Sequence, residues 1–144
     1  MQRKVHATIP YAIEGSHTVI GADGTVGKYG LGAQVVFHHR LLKESGGQQI
    51  GHLSGHCHIV AKQSDREWVA VCTKHYDWFD GSTMTAHATE TVGPDNKRIT
   101  EKLVIAGGIG QWEGAHGVDE SYTYDPARGR GSGKIILTCL KGVC

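Results

Sequence analysis

Alternation of apolar and polar residues, the period of a β-strand, recurs along most of the chain, whereas helical periodicity is scarce. β-branched and aromatic runs are separated by short segments rich in Gly, Asp and Asn. The pattern predicts eight strands, near Lys4–Glu14, Gly27–Leu42, Gln49–Lys62, Trp68–Phe79, Ser82–Thr91, Arg98–Ala106, Gln111–Tyr124 and Gly133–Lys141. The clearest turn is Asp80-Gly81, because Asp-Gly between two such runs is typical of a tight hairpin.

Eight strands with short connections predict an all-β fold. The expected architecture is a single eight-stranded antiparallel up-and-down barrel over residues 1–144, with a β-sandwich as the alternative. Closure of a barrel removes exposed strand edges, which suits a small all-β chain. A barrel of this size is either filled by side chains or just wide enough for one small ligand. The residues that face inward therefore bear directly on function.

Alternation within two of the strands predicts which side chains lie inside. In Trp68–Phe79, one face carries Trp68, Cys72 and Tyr76 together with other large or apolar groups. In Gln49–Lys62, the apolar face carries Cys57, and the opposite face carries His52, His56 and His58. Because successive side chains of a strand point to opposite sides of the sheet, the apolar face is expected inside and the histidines outside.

Composition narrows the class of protein. The chain is 39% hydrophobic with a net charge of +1, and no acidic or basic block stands out. Neither nucleic acid nor a membrane surface is therefore an expected partner. No segment has membrane-spanning length, and the opening MQRKVHATIPYA lacks an apolar signal core, which predicts a cytoplasmic protein. In that compartment the four cysteines, Cys57, Cys72, Cys139 and Cys144, are expected to be reduced and mostly packed as small apolar groups.

The segment Val104–Gly117, VIAGGIGQWEGAHG, has the densest glycine content and one isolated tryptophan, Trp112. Glycines at this density permit sharp turns and close backbone packing. A bulky aromatic framed by glycines predicts either a wall that contacts a ligand or a plug that fills the core.

Three segments resemble motifs of the dirigent and allene oxide cyclase-like barrels. Leu41–Val60 resembles their acidic residue, glycine and IG-x-x-x-G-x-C passage. Tyr76–Gly81 resembles the aromatic and Asp-Gly hairpin, and Lys102–Gly117 resembles the ITGGTG-x-F-x-GA-x-G hairpin. Within that superfamily the chain is most similar to small bacterial polyketide cyclases of the spirotetronate-forming type, the Diels-Alderases. The likeness includes Val26–Tyr29 and a cavity tryptophan at the position of Trp112.

The resemblance implies a barrel, commonly dimeric, that folds an apolar linear substrate for a [4+2] or related ring closure without metal or organic cofactor. Trp112 is the expected catalytic wall. Tyr76 is expected to hydrogen-bond a carbonyl or developing enolate. The expected substrate-binding residues are Trp68, Cys72, Cys57, Tyr29, Tyr122 and Glu101. Packing of the core is the competing hypothesis for each aromatic and cysteine, and solvent exposure is the competing hypothesis for Glu101.

Two other functions remain open. The first is a non-catalytic, dirigent-like barrel that holds a small apolar ligand. The second is a metal-dependent, cupin-like oxygenase, suggested by His52, His56 and His58 on one strand face. The cupin pattern needs a glutamate shortly after the second histidine, and Lys62-Gln63 occupy that zone. An outward histidine face that is solvated or forms a homodimer interface is the favoured hypothesis. Glu14 and Glu120 join Glu101 as acid–base candidates only if they face inward.

Overall fold

The computed structural model describes residues 4–94, 101–125 and 128–140. The strands are β1 (Lys4–Ile20), β2 (Gln34–Leu42), β3 (Gln49–Ser64), β4 (Glu67–Trp78), β5 (Thr83–Val92), β6 (Glu101–Ile109), β7 (His116–Asp125) and β8 (Arg130–Leu140), with a 3-10 turn, Gly110–Trp112, between β6 and β7. Each strand pairs antiparallel with the next, and β1 pairs with β8, so the sheet closes into the predicted barrel. Over these residues no helix has the length and apolar character needed to cross a membrane.

The predicted strand order is confirmed, but several strand boundaries are wrong. The first strand was predicted to end at Glu14, whereas β1 continues to Ile20. The second strand was predicted from Gly27, whereas residues 27–33 form turns and irregular structure and β2 begins at Gln34. Gly27 and Gly32 have φ angles of 85° and 80°, which a strand does not allow. The seventh strand was predicted from Gln111, a residue of the 3-10 turn. The predicted strand limits at Arg98 and Lys141 lie outside the described residues.

The predicted inward and outward faces are confirmed on β3 and β4. Cys72 and Tyr76 are fully buried on the inner face of β4, and Cys57 is buried on the inner face of β3. His52, His56 and His58 lie on the opposite side of β3 and are more exposed. Beyond Ile59 the alternation fails, because a register shift between Ile59 and Ala61 leaves Ala61 exposed.

The Asp80-Gly81 turn between β4 and β5 forms as predicted. Gly81 has a φ of 88°, a conformation that favours glycine. The Asp80 carboxylate accepts two hydrogen bonds from Ser82. One comes from the backbone N–H at 2.8 Å, and the other comes from the side-chain hydroxyl. These bonds hold the pKa of the Asp80 carboxyl below its usual range.

The buried side chains form two apolar clusters, one toward each end of the barrel. The larger lies at the end where β4 and β6 finish, here called the tryptophan end because Trp112 belongs to it. Its buried members are Tyr11, Ile13, Leu41, Leu53, Tyr76, Met84, Ala86, Leu103, Ile105, Trp112, Ala115, Ile135 and Leu137. The second lies at the opposite end, here called the disulfide end. Its buried members are Val19, Ala33, Val35, Cys57, Ile59, Ala70, Cys72 and Val92.

Cys57 and Cys72 are joined by a disulfide, so the expectation that they are reduced thiols is wrong. The two residues are direct partners in the β3–β4 ladder, with Cα atoms 4.0 Å apart and both side chains inside the barrel. The pairing depends on strand register, which composition does not reveal. Their predicted inward packing is confirmed. Cys144 and the side chain of Cys139 lie outside the described residues.

Candidate active site at the tryptophan end

Trp112 covers the tryptophan end of the barrel, where it is only 8% exposed. Glycines allow this position. A Cβ at Gly108 would lie 2.5 Å from the carbonyl oxygen of Thr83 and 2.9 Å from the Cβ of Trp112. Gly110 has a φ of 74°, which favours glycine. The chain can therefore leave β6, fold back over the barrel and place the indole against the core.

Trp78, at the end of β4, lies beside Trp112. Their ring centroids are 6.3 Å apart, and Trp78 also stacks on Tyr76 at 6.4 Å with the two planes 11° apart. The Nε1 atoms of both indoles are buried and have no hydrogen-bond partner within the described part of the chain. Because a buried indole N–H normally has an acceptor, the pair offers two donors to a bound molecule.

A buried carboxylate lies between strands on different sides of the barrel. Asp119 of β7 is 0% exposed and accepts hydrogen bonds from the hydroxyl of Tyr11, at 2.7 Å to Oδ1 and 2.8 Å to Oδ2. The hydroxyl of Tyr76 donates a hydrogen bond to Oδ2 of the same carboxylate. Because an unpaired buried carboxylate is strongly unfavourable, these two hydroxyls stabilise Asp119 inside the barrel.

Lys74 is a second charged residue on the inner face. It is buried on β4, one inward position before Tyr76, with Nζ 5.9 Å from the ring centroid of Phe37. The residues that pair with it across the ladders, Gly55 and Ala86, are small. An ammonium placed over an aromatic face is stabilised by the ring, and the small neighbours leave the lysine side chain room.

The predicted site residues are divided between the two ends. Trp112 and Tyr76 are brought together at the tryptophan end. Cys57, Cys72, Tyr29 and Trp68 belong to the cluster at the disulfide end. Burial raises the pKa of the Tyr29 phenol, so this hydroxyl stays neutral at physiological pH. The backbones of Glu101 and Tyr122 lie in β6 and β7, but their side chains are outside the described residues.

Asp119 is an inward carboxylate, whereas the sequence drew attention to its neighbour Glu120. Glu120 lies on the outer surface, 3.8 Å from the ammonium groups of both Lys102 and Lys134. Glu14 likewise pairs with Arg40 at 3.0 Å. Asp119 pairs with the inward residues Leu103 and Ile135 in the two neighbouring ladders. This register shows that Asp119 faces inward, but it cannot be read from the sequence.

The histidine face of β2 and β3 forms part of the outer wall, as predicted. His38 stacks on His52 with ring centroids 5.3 Å apart, and the His56 and His58 centroids are 5.1 Å apart. His56, His58 and His75 line an open surface depression of about 510 Å³. Among the described residues, these imidazoles do not form a set of three converging metal ligands. The cupin arrangement needs metal ligands inside the barrel, whereas His52, His56 and His58 lie on its outer side.

No protein-family model and no curated protein sequence matches the chain significantly. Solved structures share its fold. The pterocarpan synthase dirigent protein GePTS1 is 18% identical with a TM-score of 0.65, over 99% of this chain and 89% of that chain. Pyocyanin demethylase is 17% identical with a TM-score of 0.68, over 91% of this chain and 99% of that chain. A nonspecific heme-binding cyclase that catalyses [4+2] cycloaddition during neoabyssomicin biosynthesis is 17% identical with a TM-score of 0.69, over 98% of this chain and 69% of that chain.

These similarities define the class of structure: the chain has the eight-stranded barrel fold of dirigent proteins and [4+2] cyclases. The three structures differ in the activities that their names describe. Because one fold supports several chemistries, the fold alone does not define the function, which depends on the residues at the tryptophan end.

Proposed function

We propose that the protein is a cofactor-independent cyclase of polyketide or related natural-product biosynthesis. In this proposal it folds an apolar linear substrate at the tryptophan end for a [4+2] or related ring closure. The observation that carries the proposal is the position of two unpartnered indole N–H donors, on Trp78 and Trp112, beside the Tyr11–Asp119–Tyr76 group. The fold shared with a [4+2] cyclase supports it.

Positioning is the first contribution in this mechanism. A linear substrate must bring its two reacting ends together, and fixing that geometry can supply several kcal/mol, up to about 7–11, of the barrier. The rings of Trp78 and Trp112 offer rigid apolar surface for this task, since aromatic side chains lose little entropy on ordering. An indole N–H that donates to a carbonyl of the substrate would stabilise the charge developing there, by about 2.7–4 kcal/mol for a well-placed donor.

Tyr76 and Asp119 provide the second contribution, a proton relay. The single hydroxyl proton of Tyr76 is directed at Asp119, so its oxygen is oriented to accept a hydrogen bond from a substrate. A substrate with an acidic C–H or enol O–H would pass its proton to the Tyr76 oxygen as the tyrosine proton moves to Asp119. The same pair would return the proton after ring closure, so Tyr76 acts as a donor in the second half of the cycle.

Lys74 supplies a positive charge on the same inner face of β4. An enolate or another anionic group on the substrate would be stabilised by an ammonium at this depth, because interactions between charges are stronger away from water. The proposed substrate is thus apolar along its length, with one acidic or carbonyl-bearing end. Tests of activity should use such a molecule rather than a plain hydrocarbon polyene.

A non-catalytic binding barrel is the second candidate. The dense packing around Tyr76, which is fully buried, and the burial of Trp112 favour it, since both residues already serve the core. The two candidates differ in turnover. A catalyst converts many equivalents of a linear polyene that carries an activated dienophile, whereas a binding barrel leaves the background rate unchanged and binds the polyene stoichiometrically.

A homodimer and a cytoplasmic location belong to the same proposal. The outer face around His58 supports association with a second copy, because Val71, its partner in the ladder, is a large apolar residue 48% exposed. We expect sedimentation to report a dimer for the parent and a monomer for Val71→Glu, whereas the control Val104→Glu, at an exposed apolar position on β6, is expected to stay dimeric. A parent protein that sediments as a monomer, or a Val71→Glu variant that stays dimeric, would contradict this interface.

The proposed cytoplasmic location is tested by fractionation of native cells.

A further inference from the structure

Three potential metal ligands converge inside the disulfide end of the barrel. The Sγ atoms of Cys57 and Cys72 and a carboxylate oxygen of Glu90 all lie within 4.8 Å of one another. Cys57 and Cys72 are direct partners on β3 and β4. Glu90 lies on β5, two residues beyond Ala88, the ladder partner of Cys72. The group therefore occupies one inner face across three consecutive strands.

The surroundings of this group are apolar except for Lys74, the next inward residue of β4 after Cys72. The two cysteines are buried in the cluster that includes Val19, Val35, Ile59 and Val92. Glu90 is half-buried at the same end. A carboxylate and two thiolates collected here would repel one another and would be poorly solvated, so a bound cation would stabilise them.

We propose that reduction of the Cys57–Cys72 disulfide creates a binding site for a thiophilic divalent metal ion of the Zn²⁺ type, with Glu90 as the third ligand. In the reduction step, the S–S bond accepts two electrons and two protons, and two thiols form. A dithiol reductant supplies both and becomes a disulfide, whereas a phosphine supplies the electrons, water supplies the protons, and the oxygen of that water is left on the phosphine oxide. Metal binding then displaces the two thiol protons to the solvent. While the disulfide is intact, neither sulfur is a thiolate and the site is closed.

The chemistry of the ligands fits this ion. Thiolate sulfur and carboxylate oxygen bind Zn²⁺ at about 2.3 Å and about 2.0–2.2 Å respectively. Tetrahedral coordination separates neighbouring ligand atoms by about 3.5–3.8 Å. The two sulfurs, which are bonded to each other in the disulfide, therefore have to move apart by side-chain rotation after reduction, and a carboxylate oxygen of Glu90 already lies within 4.8 Å of both. Three protein ligands leave a fourth position for water or another donor. The site lies at the opposite end from Trp112, so it does not depend on the proposed cyclase activity and departs from the expectation of no metal.

The experiment uses the full chain with Cys139→Ser and Cys144→Ser, so that Cys57 and Cys72 are the remaining thiols. Protein reduced with a phosphine and freed of reductant without oxygen is titrated with Cd²⁺, and the sulfur-to-metal charge-transfer absorption is followed. A parallel sample is loaded with Zn²⁺, gel-filtered and subjected to elemental analysis. We expect one ion per reduced chain and no stoichiometric binding to the oxidised chain.

Two glutamate variants test the third ligand. Glu90→Gln is expected to weaken binding to the reduced chain by at least about tenfold. Glu44→Gln, in the exposed β2–β3 turn, is expected to leave it unchanged. Equal affinity of the two variants, equal binding by oxidised and reduced chains, or no retained metal after reduction would each overturn the proposal. If reduction weakens the β-sheet circular dichroism signal, added Zn²⁺ is expected to restore it, and failure to restore it would also contradict the site.

Discussion

Replacing Trp112 with alanine is expected to lower the rate of ring closure by at least about 100-fold while leaving a folded barrel. The indole covers the tryptophan end and, with Trp78, forms the rigid surface on which the substrate is proposed to fold. Its loss removes that surface and one buried N–H donor, and small errors in positioning reacting groups reduce rates by about two orders of magnitude. The measurement is turnover per folded molecule, with thermal unfolding recorded on the same samples.

Two further variants sharpen this test. Trp112→Phe keeps an aromatic ring but removes the N–H, and is expected to retain stability to within about 1.5 kcal/mol while losing about 100-fold in rate. Phe79→Ala removes an aromatic that is 62% exposed in the β4–β5 turn and is expected to leave the rate unchanged. A large loss of stability in Trp112→Ala, with unchanged turnover per folded molecule, would assign Trp112 to the core alone.

Two substitutions of Asp119 are expected to separate its effect on the stability of the barrel from its effect on the rate of ring closure. Asp119→Ala leaves the hydroxyls of Tyr11 and Tyr76 without their acceptor inside the barrel, and each such loss costs about 1–3 kcal/mol of folding free energy. We therefore expect a loss of about 2–6 kcal/mol by urea denaturation. Asp119→Asn keeps an acceptor oxygen of similar shape, so it should retain more stability, but an amide cannot take up the relayed proton.

Asp119→Asn is thus expected to lose about 100-fold or more in rate, the range that positioned acid–base groups supply. Glu120→Gln is the matched control, because this neighbouring carboxylate lies on the outer surface beside Lys102 and Lys134. It is expected to change neither stability nor rate appreciably. Parent-like turnover in Asp119→Asn would show that the Tyr11–Asp119–Tyr76 group serves stability only.

The barrel itself could be predicted from the sequence because alternation is a local property. The inward Cys57, Cys72 and Tyr76 and the outward His56 follow from a period of two, and each is where that period places it. The start of β2 was misplaced because Gly27 and Gly32 adopt positive φ angles, which end the extended backbone. Glycine permits this conformation but does not require it, so the sequence alone does not predict it. Alternation also failed at Ala61, where a bulge shifts the register.

The candidate site was only partly predictable because it depends on contacts between distant strands. The contact of Tyr11 with Asp119 spans 108 residues and requires the closed barrel. The Cys57–Cys72 disulfide requires an exact ladder register, and two register shifts between Ile59 and Ser64 separate this pair from the β3–β4 turn. Alternation in Trp68–Phe79 places Trp78 on the same face as Tyr76, but its contact with Trp112 arises from the fold-back at Gly108 and Gly110.

The central claim is that the tryptophan end of this barrel catalyses ring closure of an apolar linear substrate. Its most direct test is incubation of the purified protein with a linear polyene that bears a carbonyl-activated dienophile, followed by chiral separation of the products. We expect many turnovers per chain and a single stereoisomer, both lost in Trp112→Ala. Product formed at the background rate as the uncatalysed mixture of stereoisomers, with only stoichiometric binding of the polyene, would contradict the account and identify a binding barrel.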